Sequence, residues 1–178
     1  MNTVQVLDKR FAKFIESDKI LSEVDRIAKE ASNDYKGRTP LFLCVLNGSF
    51  MFASDLLKSY VGDCQISFIK LSSYQGTQTT EEVKTVIGLN EKIKGRDLII
   101  LEDIIDSGIT ISHLVNDLAK YEPLSLRVAT LLLKPDALRT NIKPDYVGIE
   151  IPNDFIIGYG LDYNGYGRNL PDIYKIAE

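Results

Sequence analysis

The run LFLCVL at residues 41–46 constrains the fold most. It is continuously apolar, follows Arg38-Thr39-Pro40 and is cut off by Asn47-Gly48-Ser49. It is too short for a helix, and a strand with one wet face would alternate, so it predicts a strand covered on both faces. Residues 98–101 repeat the pattern, Ile66 and Phe68, with Leu71 beyond them, suggest another strand, and 126–133 and 146–151 are two more strand candidates. Between these runs, Phe50, Ala53, Leu56 and Leu57, and then Ile111, Leu114, Val115, Leu118 and Ala119, fall three and four apart, which predicts helices. The same spacing from Phe11 through Ile15 and from Ile20 to Ala31 predicts two N-terminal helices, broken near Ser17-Asp18. The polar stretch SSYQGTQTTEE at 72–82 has no apolar anchor and reads as a mobile loop. Strands alternating with helices imply an α/β fold with a mainly parallel sheet, whose ligand site lies at the carboxyl ends of its strands.

Composition narrows the function classes. The chain of 178 residues is 44% hydrophobic and 26% charged, the make-up of one globular domain or a domain with a small attachment. Its apolar runs fall far short of the ~18 residues needed to cross a bilayer. A formal charge of -4 argues against broad, charge-driven binding to nucleic acid or an anionic membrane. The opening MNTVQVLDKRF lacks the basic and apolar regions of a secretory signal, so a cytoplasmic location is expected. Cys44 and Cys64 have no CxxC spacing and are expected to be free, buried thiols. His113 is the single histidine, which excludes a multi-His metal site and leaves acid-base chemistry to carboxylates, Lys or Tyr.

Chemistry concentrates in LIILEDIIDSGITI, residues 98–111. The apolar run leads into Glu102 and Asp103, expected at or just past a strand end. Their side chains are expected on opposite faces, each reaching different atoms of one ligand. Asp106 follows, and then Ser107, Gly108, Ile109 and Thr110 open a helix. Backbone N–H groups, two hydroxyls and the positive end of the helix dipole make that turn a phosphate cradle. It is neither a P-loop, since no GK[ST] follows, nor a GxGxxG turn. A solvated turn with a helix cap is the plainer explanation, but one cap needs one oxygen and three carboxylates stand within five positions.

This segment resembles the phosphoribosyl-pyrophosphate (PRPP) motif of the type I phosphoribosyltransferases. VLNGSF at 45–50, SSY at 72–74, LLLKP at 131–135 and KPDYVGIEIPNDFIIGYGLDYNGYGR at 143–168 extend the likeness to the purine-salvage branch acting on 6-oxopurines. The resemblance implies an α/β core over about 38–151, a parallel sheet flanked by helices, and a small hood from 152–178 with N-terminal help. It implies transfer of a 5-phosphoribosyl group from PRPP to hypoxanthine, and to guanine, giving the mononucleotide and pyrophosphate with Mg2+. Glu102 and Asp103 would face the ribose hydroxyls and the metal, with Asp162 approaching the same metal. Asp106 would be the general acid-base group, and Ser107, Gly108, Ile109 and Thr110 would hold the 5'-phosphate. Leu46, Asn47, Gly48 and Arg168 would bind pyrophosphate, with Asn47 where a Lys often stands. Ser73 and Tyr74 would open a loop that closes over the reacting centre. Lys134, Phe155 and Ile156 would bind the purine. By position alone, Lys134 reads as an exposed strand-end lysine, Phe155 as core packing and Arg168 as a solvated charge. His113 has no role in the pattern. A homodimer or homotetramer is implied.

Rival readings come from other classes. A receiver-like signalling module also sets acids and a strand-end lysine around magnesium, but its acidic pair follows the first strand, where this chain has Asn47-Gly48. A regulatory relative that binds RNA would need a basic face, of which the net charge gives no sign. A guanine- or xanthine-preferring enzyme is the nearest alternative.

Overall fold

The computed structural model describes residues 2–73, 83–87 and 92–177. The continuous apolar runs are explained by the two faces they serve. In β3 (Leu41–Leu46), Phe42 and Cys44 face one core while Leu41, Leu43 and Val45 face another. In β6 (Asp97–Ile105), Ile99 and Leu101 join the first core, and Leu98 and Ile100 the second. Every residue of these two runs but Leu46 is buried, each buried aliphatic or aromatic side chain contributing about 1.5–3 kcal/mol of hydrophobic stabilisation. The first core is roofed by α1 (Ser17–Asp34) through Ile20, Val24 and Ile27, and by α2 (Phe50–Ser59) through Phe52 and Leu56. The second is roofed by α3 (Ile109–Ala119) through Ile111, Leu114 and Leu118.

The main sheet has six strands in the order β5 (Val83–Ile87), β4 (Gln65–Ser73), β3, β6, β7 (Ser125–Leu133) and β8 (Tyr146–Glu150). All neighbours run parallel except β5, which pairs antiparallel on the edge. The chain moves outward from β3 to β4 and in the opposite direction from β6 to β7 and β8. The order therefore reverses between β3 and β6, the place where an open α/β sheet forms a crevice. Their pairing stops at Cys44 with Leu101, so the strands part just where β6 reaches its acids.

A second, four-stranded antiparallel sheet joins both ends of the described chain: β1 (Thr3–Val6), β2 (Lys9–Ile15), β10 (Ile173–Ile176) and β9 (Ile156–Ile157). Residues 9–15 are thus a strand, not the first of two helices. Phe11, Phe14 and Ile15 fit three-and-four spacing over too few residues to exclude alternation, and pairing with β1 and β10 selects the strand. In β4 the expected face is inverted: Ser67 and Ile69 are buried while Ile66 and Phe68 are each 41% exposed. At the opposite end of the main sheet from the acids, Arg38 forms two hydrogen bonds to Asp97, and Tyr35 lies under the guanidinium groups of Arg38 and Arg127, 5.0 and 5.4 Å from its ring centroid. Among the described residues no helix is long and apolar enough to cross a membrane.

Candidate active site

Glu102 and Asp103 lie inside β6, since the strand continues past them to Ile105. The sequence placed them at its end because it could not show that pairing with β7 persists, through Glu102 with Thr130 and Ile104 with Leu132. Asp103 is buried and Glu102 half-buried. The Asp103 carboxylate accepts the Ile104 N–H at 3.0 Å. Burial first, and then the neighbouring Asp103 charge, raise the Glu102 proton affinity well above the usual carboxylate range. Burial also raises that of Asp103, against the opposing Ile104 N–H and Arg168 charge. Two adjacent carboxyls, one buried and one half-buried, whose charges repel are a place where a cation is favoured.

The turn after β3 rests directly on this pair. A Cβ added to Gly48 would stand 1.6 Å from Asp103 Oδ2, so any side chain there would displace the carboxylate. The Leu46–Asn47 peptide is cis, and the buried Ser49 hydroxyl donates to the Val45 carbonyl at 2.6 Å. On the other side of Gly48, a Cβ on Gly160 would stand 2.1 Å from the Gly48 carbonyl oxygen. The Gly160 carbonyl accepts from Arg168 Nη1 at 2.6 Å, and Arg168 Nη2 pairs with Asp162 at 2.6 Å. Arg168 is therefore brought to the acids through two glycines. Asp162 is held by Arg168 and by the Gly165 N–H, and among the described residues no three metal-ligating side chains cluster. The structure thus assembles Glu102 with Asp103 but leaves Asp162 with the arginine.

Beyond β6 the chain turns at Asp106, which is exposed, and α3 begins after Gly108, whose φ of +77° suits glycine. Gly108 packs on the 138–142 loop: the Arg139 N–H donates to the Ser107 carbonyl at 2.9 Å, and Ser112 and Thr140 share a hydrogen bond of 3.1 Å. Residues 102–108, with Thr110, Ile111, Val45 and Leu71, line a cavity of about 240 Å³.

Lys134 is 6% exposed, not the surface lysine that its position suggested. Its N–H donates to the Ile105 carbonyl at 3.0 Å, and its ammonium reaches Asp106 at 2.8 Å and Asn153 Oδ1 at 3.4 Å. Phe155 is half-exposed rather than core, edge-on to Tyr163 at 5.9 Å and tilted to Phe11 at 6.2 Å. Ile156 is buried in β9. Ser73 ends β4, and Tyr74 lies outside the described residues, as does most of the 72–82 stretch. His113 is exposed on α3, and Cys44 and Cys64 are free, Cys44 buried and Cys64 half-buried.

Sequence reasoning missed Gly160, Asn153, Asp55 and Tyr159. Only the glycines alternating with aromatics in GYG at 158–160 marked that turn in advance.

The model of the phosphoribosyl transferase domain matches residues 14–164. The chain belongs to the phosphoribosyltransferase family. It is 38% identical over 167 residues to the hypoxanthine-guanine phosphoribosyltransferase of Lactococcus lactis, covering 93% of this chain and 91% of that protein. It is 44% identical over 161 residues to the bifunctional protein TilS/HprT of Listeria monocytogenes, covering 89% of this chain but 25% of that protein, so it spans about a quarter of that relative's length. A crystal structure of the Staphylococcus aureus hypoxanthine phosphoribosyltransferase superposes with a TM-score of 0.89 at 34% identity, covering 99% of this chain and 92% of that one. The phosphoribosyltransferase fold thus accounts for the sheet order and for the crevice between β3 and β6.

Proposed function

We propose that this phosphoribosyltransferase transfers the 5-phosphoribosyl group of PRPP to hypoxanthine, and to guanine, in purine salvage. The observation that carries the reading is the ion pair of Lys134 with Asp106, the residue directly before Ser107, with Lys134 also reaching Asn153, two residues before the half-exposed Phe155. A 6-oxopurine needs a donor for its oxo group and a proton acceptor beside its ring, and the pair supplies both. In the reaction, a purine nitrogen bonds to C1 of the ribose as the bond from C1 to the pyrophosphate oxygen breaks. Asp106, 2.8 Å from the Lys134 Nζ, takes the proton that the purine loses. Lys134 donates to the oxo group, Phe155 stacks on the ring and Ile156 meets its edge through the backbone.

Ser107, Gly108, Ile109 and Thr110 hold the 5'-phosphate with amides and hydroxyls at the start of α3. Leu46, Asn47, Gly48 and Arg168 receive the pyrophosphate. Glu102 and Asp103 face the ribose hydroxyls, where their negative charge favours the cation-like sugar. These adjacent carboxyls, one buried and one half-buried, fit Mg2+, which needs only one or two protein carboxylates beside substrate oxygens and water. When bound, the metal would offset the charge of the leaving group. Asp162 would approach it from the Arg168 side. Ser73 and Tyr74 would open the loop that excludes water. The sheet from both termini would serve as the hood over the base. A cytoplasmic dimer or tetramer completes the reading, and light scattering in solution tests the assembly.

The deciding assay is direct. Purified protein with magnesium and PRPP is expected to convert hypoxanthine to inosine monophosphate, and no turnover with any 6-oxopurine would overturn the proposal.

A further inference from the structure

We infer that the hydrogen bond from the Tyr159 hydroxyl to Asp55 is a latch that sets the pyrophosphate side of the site, and that both are positioning residues for the reaction. The inference rests on the proposed reading of the Gly48 turn and Arg168 as the pyrophosphate site. Tyr159 is 3% exposed and has a φ of +47°, a left-handed conformation rare for an aromatic residue and kept only where the surroundings hold it. Two bonds hold it: its N–H donates to the Leu170 carbonyl at 2.8 Å, and its hydroxyl donates to Asp55 Oδ2 at 2.6 Å.

Asp55 belongs to α2, the helix that starts directly after the Gly48 turn. A closed ring results: from the turn along α2 to Asp55, across to Tyr159, and from its neighbour Gly160 back onto the Gly48 carbonyl. Gly160 fixes Arg168 at two points, its carbonyl accepting from the guanidinium at 2.6 Å and its N–H donating to the Arg168 carbonyl at 2.9 Å. The register of Arg168 against the turn therefore depends on Tyr159. Neither Asp55 nor Tyr159 lines the cavity beside the acids, and the Tyr159 hydroxyl is spent on Asp55. The polarity of the latch is fixed. Burial and then the Asp55 bond push the Tyr159 hydroxyl far up, so it remains a donor. Burial works against the Asp55 carboxylate, but bonds from Lys58 and Tyr159 outweigh it and keep it ionised.

The test is steady-state kinetics on four variants. Tyr159→Phe keeps the ring and removes one oxygen, and Asp55→Ala removes the acceptor. Both are expected to raise the KM for PRPP about tenfold, the cost of one charge-assisted hydrogen bond, with kcat and the hypoxanthine KM near wild type. Asp55→Asn keeps an acceptor oxygen without the charge and is expected to recover part of the PRPP KM lost in Asp55→Ala. Arg168→Ala reports on the site reading by itself and is expected to weaken both PRPP and pyrophosphate. If Arg168→Ala raises the PRPP KM while Tyr159→Phe and Asp55→Ala do not, the latch is refuted and the site reading stands. If Arg168→Ala changes neither ligand, the site reading fails and the latch with it. Equal losses for both substrates, unrescued by Asp55→Asn, would make the pair general structural support and overturn the inference. Should Tyr159→Phe not fold, the contrast between Asp55→Ala and Asp55→Asn gives the same decision.

Discussion

Asp106 and Lys134 hold each other at the ends of neighbouring strands, and the two differ sharply in exposure, 55% for the carboxylate side chain and 8% for the lysine. The lysine is positioned by burial and the acid only by its partner. Asp106→Asn keeps an oxygen for the ammonium but removes the base, so turnover is expected to fall by about 10²-fold while the PRPP KM stays near wild type, read from initial rates. An equal loss in both would make Asp106 a binding residue. At this scale the sequence marked the groups that carry charge. The EDIIDSG run announced Glu102, Asp103 and Asp106 because acids following an apolar strand have few structural uses. It could not show that Gly48 lies against Asp103 and Gly160 against Gly48, because those contacts join three segments far apart in the chain.

Strand β3 shows what a continuous apolar run does to a functional group placed within it. Burial pushes the Cys44 thiol up to about 12. It is neutral at any working pH and sealed between two cores, whereas Cys64 is half-buried, its thiol raised by burial and then by Asp63. Only Cys64 is expected to react with a disulfide reagent at pH 8 in the native protein, and both after unfolding, counted by released thiolate absorbance. Fast reaction of both in the native state would contradict the sealed core. Elements were legible where a signal persisted for many residues, as along α1, and where a run was unbroken, as in β3 and β6. They were misread where partners decide: β2 follows strands on both sides, and the burial of Ser67 over Phe68 in β4 is set by the sheet, not by polarity.

The whole molecule is held together by contacts between its ends. Asp172, just before β10, accepts from the Ser17 N–H at 2.8 Å, capping α1 in place of a local side chain, and pairs with Lys13 of β2 at 2.8 Å. The Lys13 bond, acting against burial and helped by the Ser17 N–H, holds the Asp172 carboxyl below the usual range. A depressed native value means that the unfolded chain takes up this proton first. The stabilisation is thus present above about pH 4 and lost as the pH falls through the native value. Asp172→Asn keeps the cap but not the charge, and is expected to lower the melting temperature by about 2 °C at pH 7, with the gap closing below pH 4, by calorimetry. A gap that persists in acid would assign the effect to packing. The alternating strands and helices foretold the main sheet, but nothing local foretold that residues 3–6 and 9–15 would share a sheet with 156–157 and 173–176.

That second sheet also dictates a timetable. Ile15 pairs with Ile173, about 160 residues later, so at about 10 residues per second a ribosome leaves one edge of β2 bare for roughly 16 s. The parallel sheet can condense during that interval, but the strands nearest Phe155 cannot close. A nascent chain would therefore acquire the turn at 107–110 well before the strands that flank Phe155, and a stalled one would hold an unpaired strand open to a neighbour.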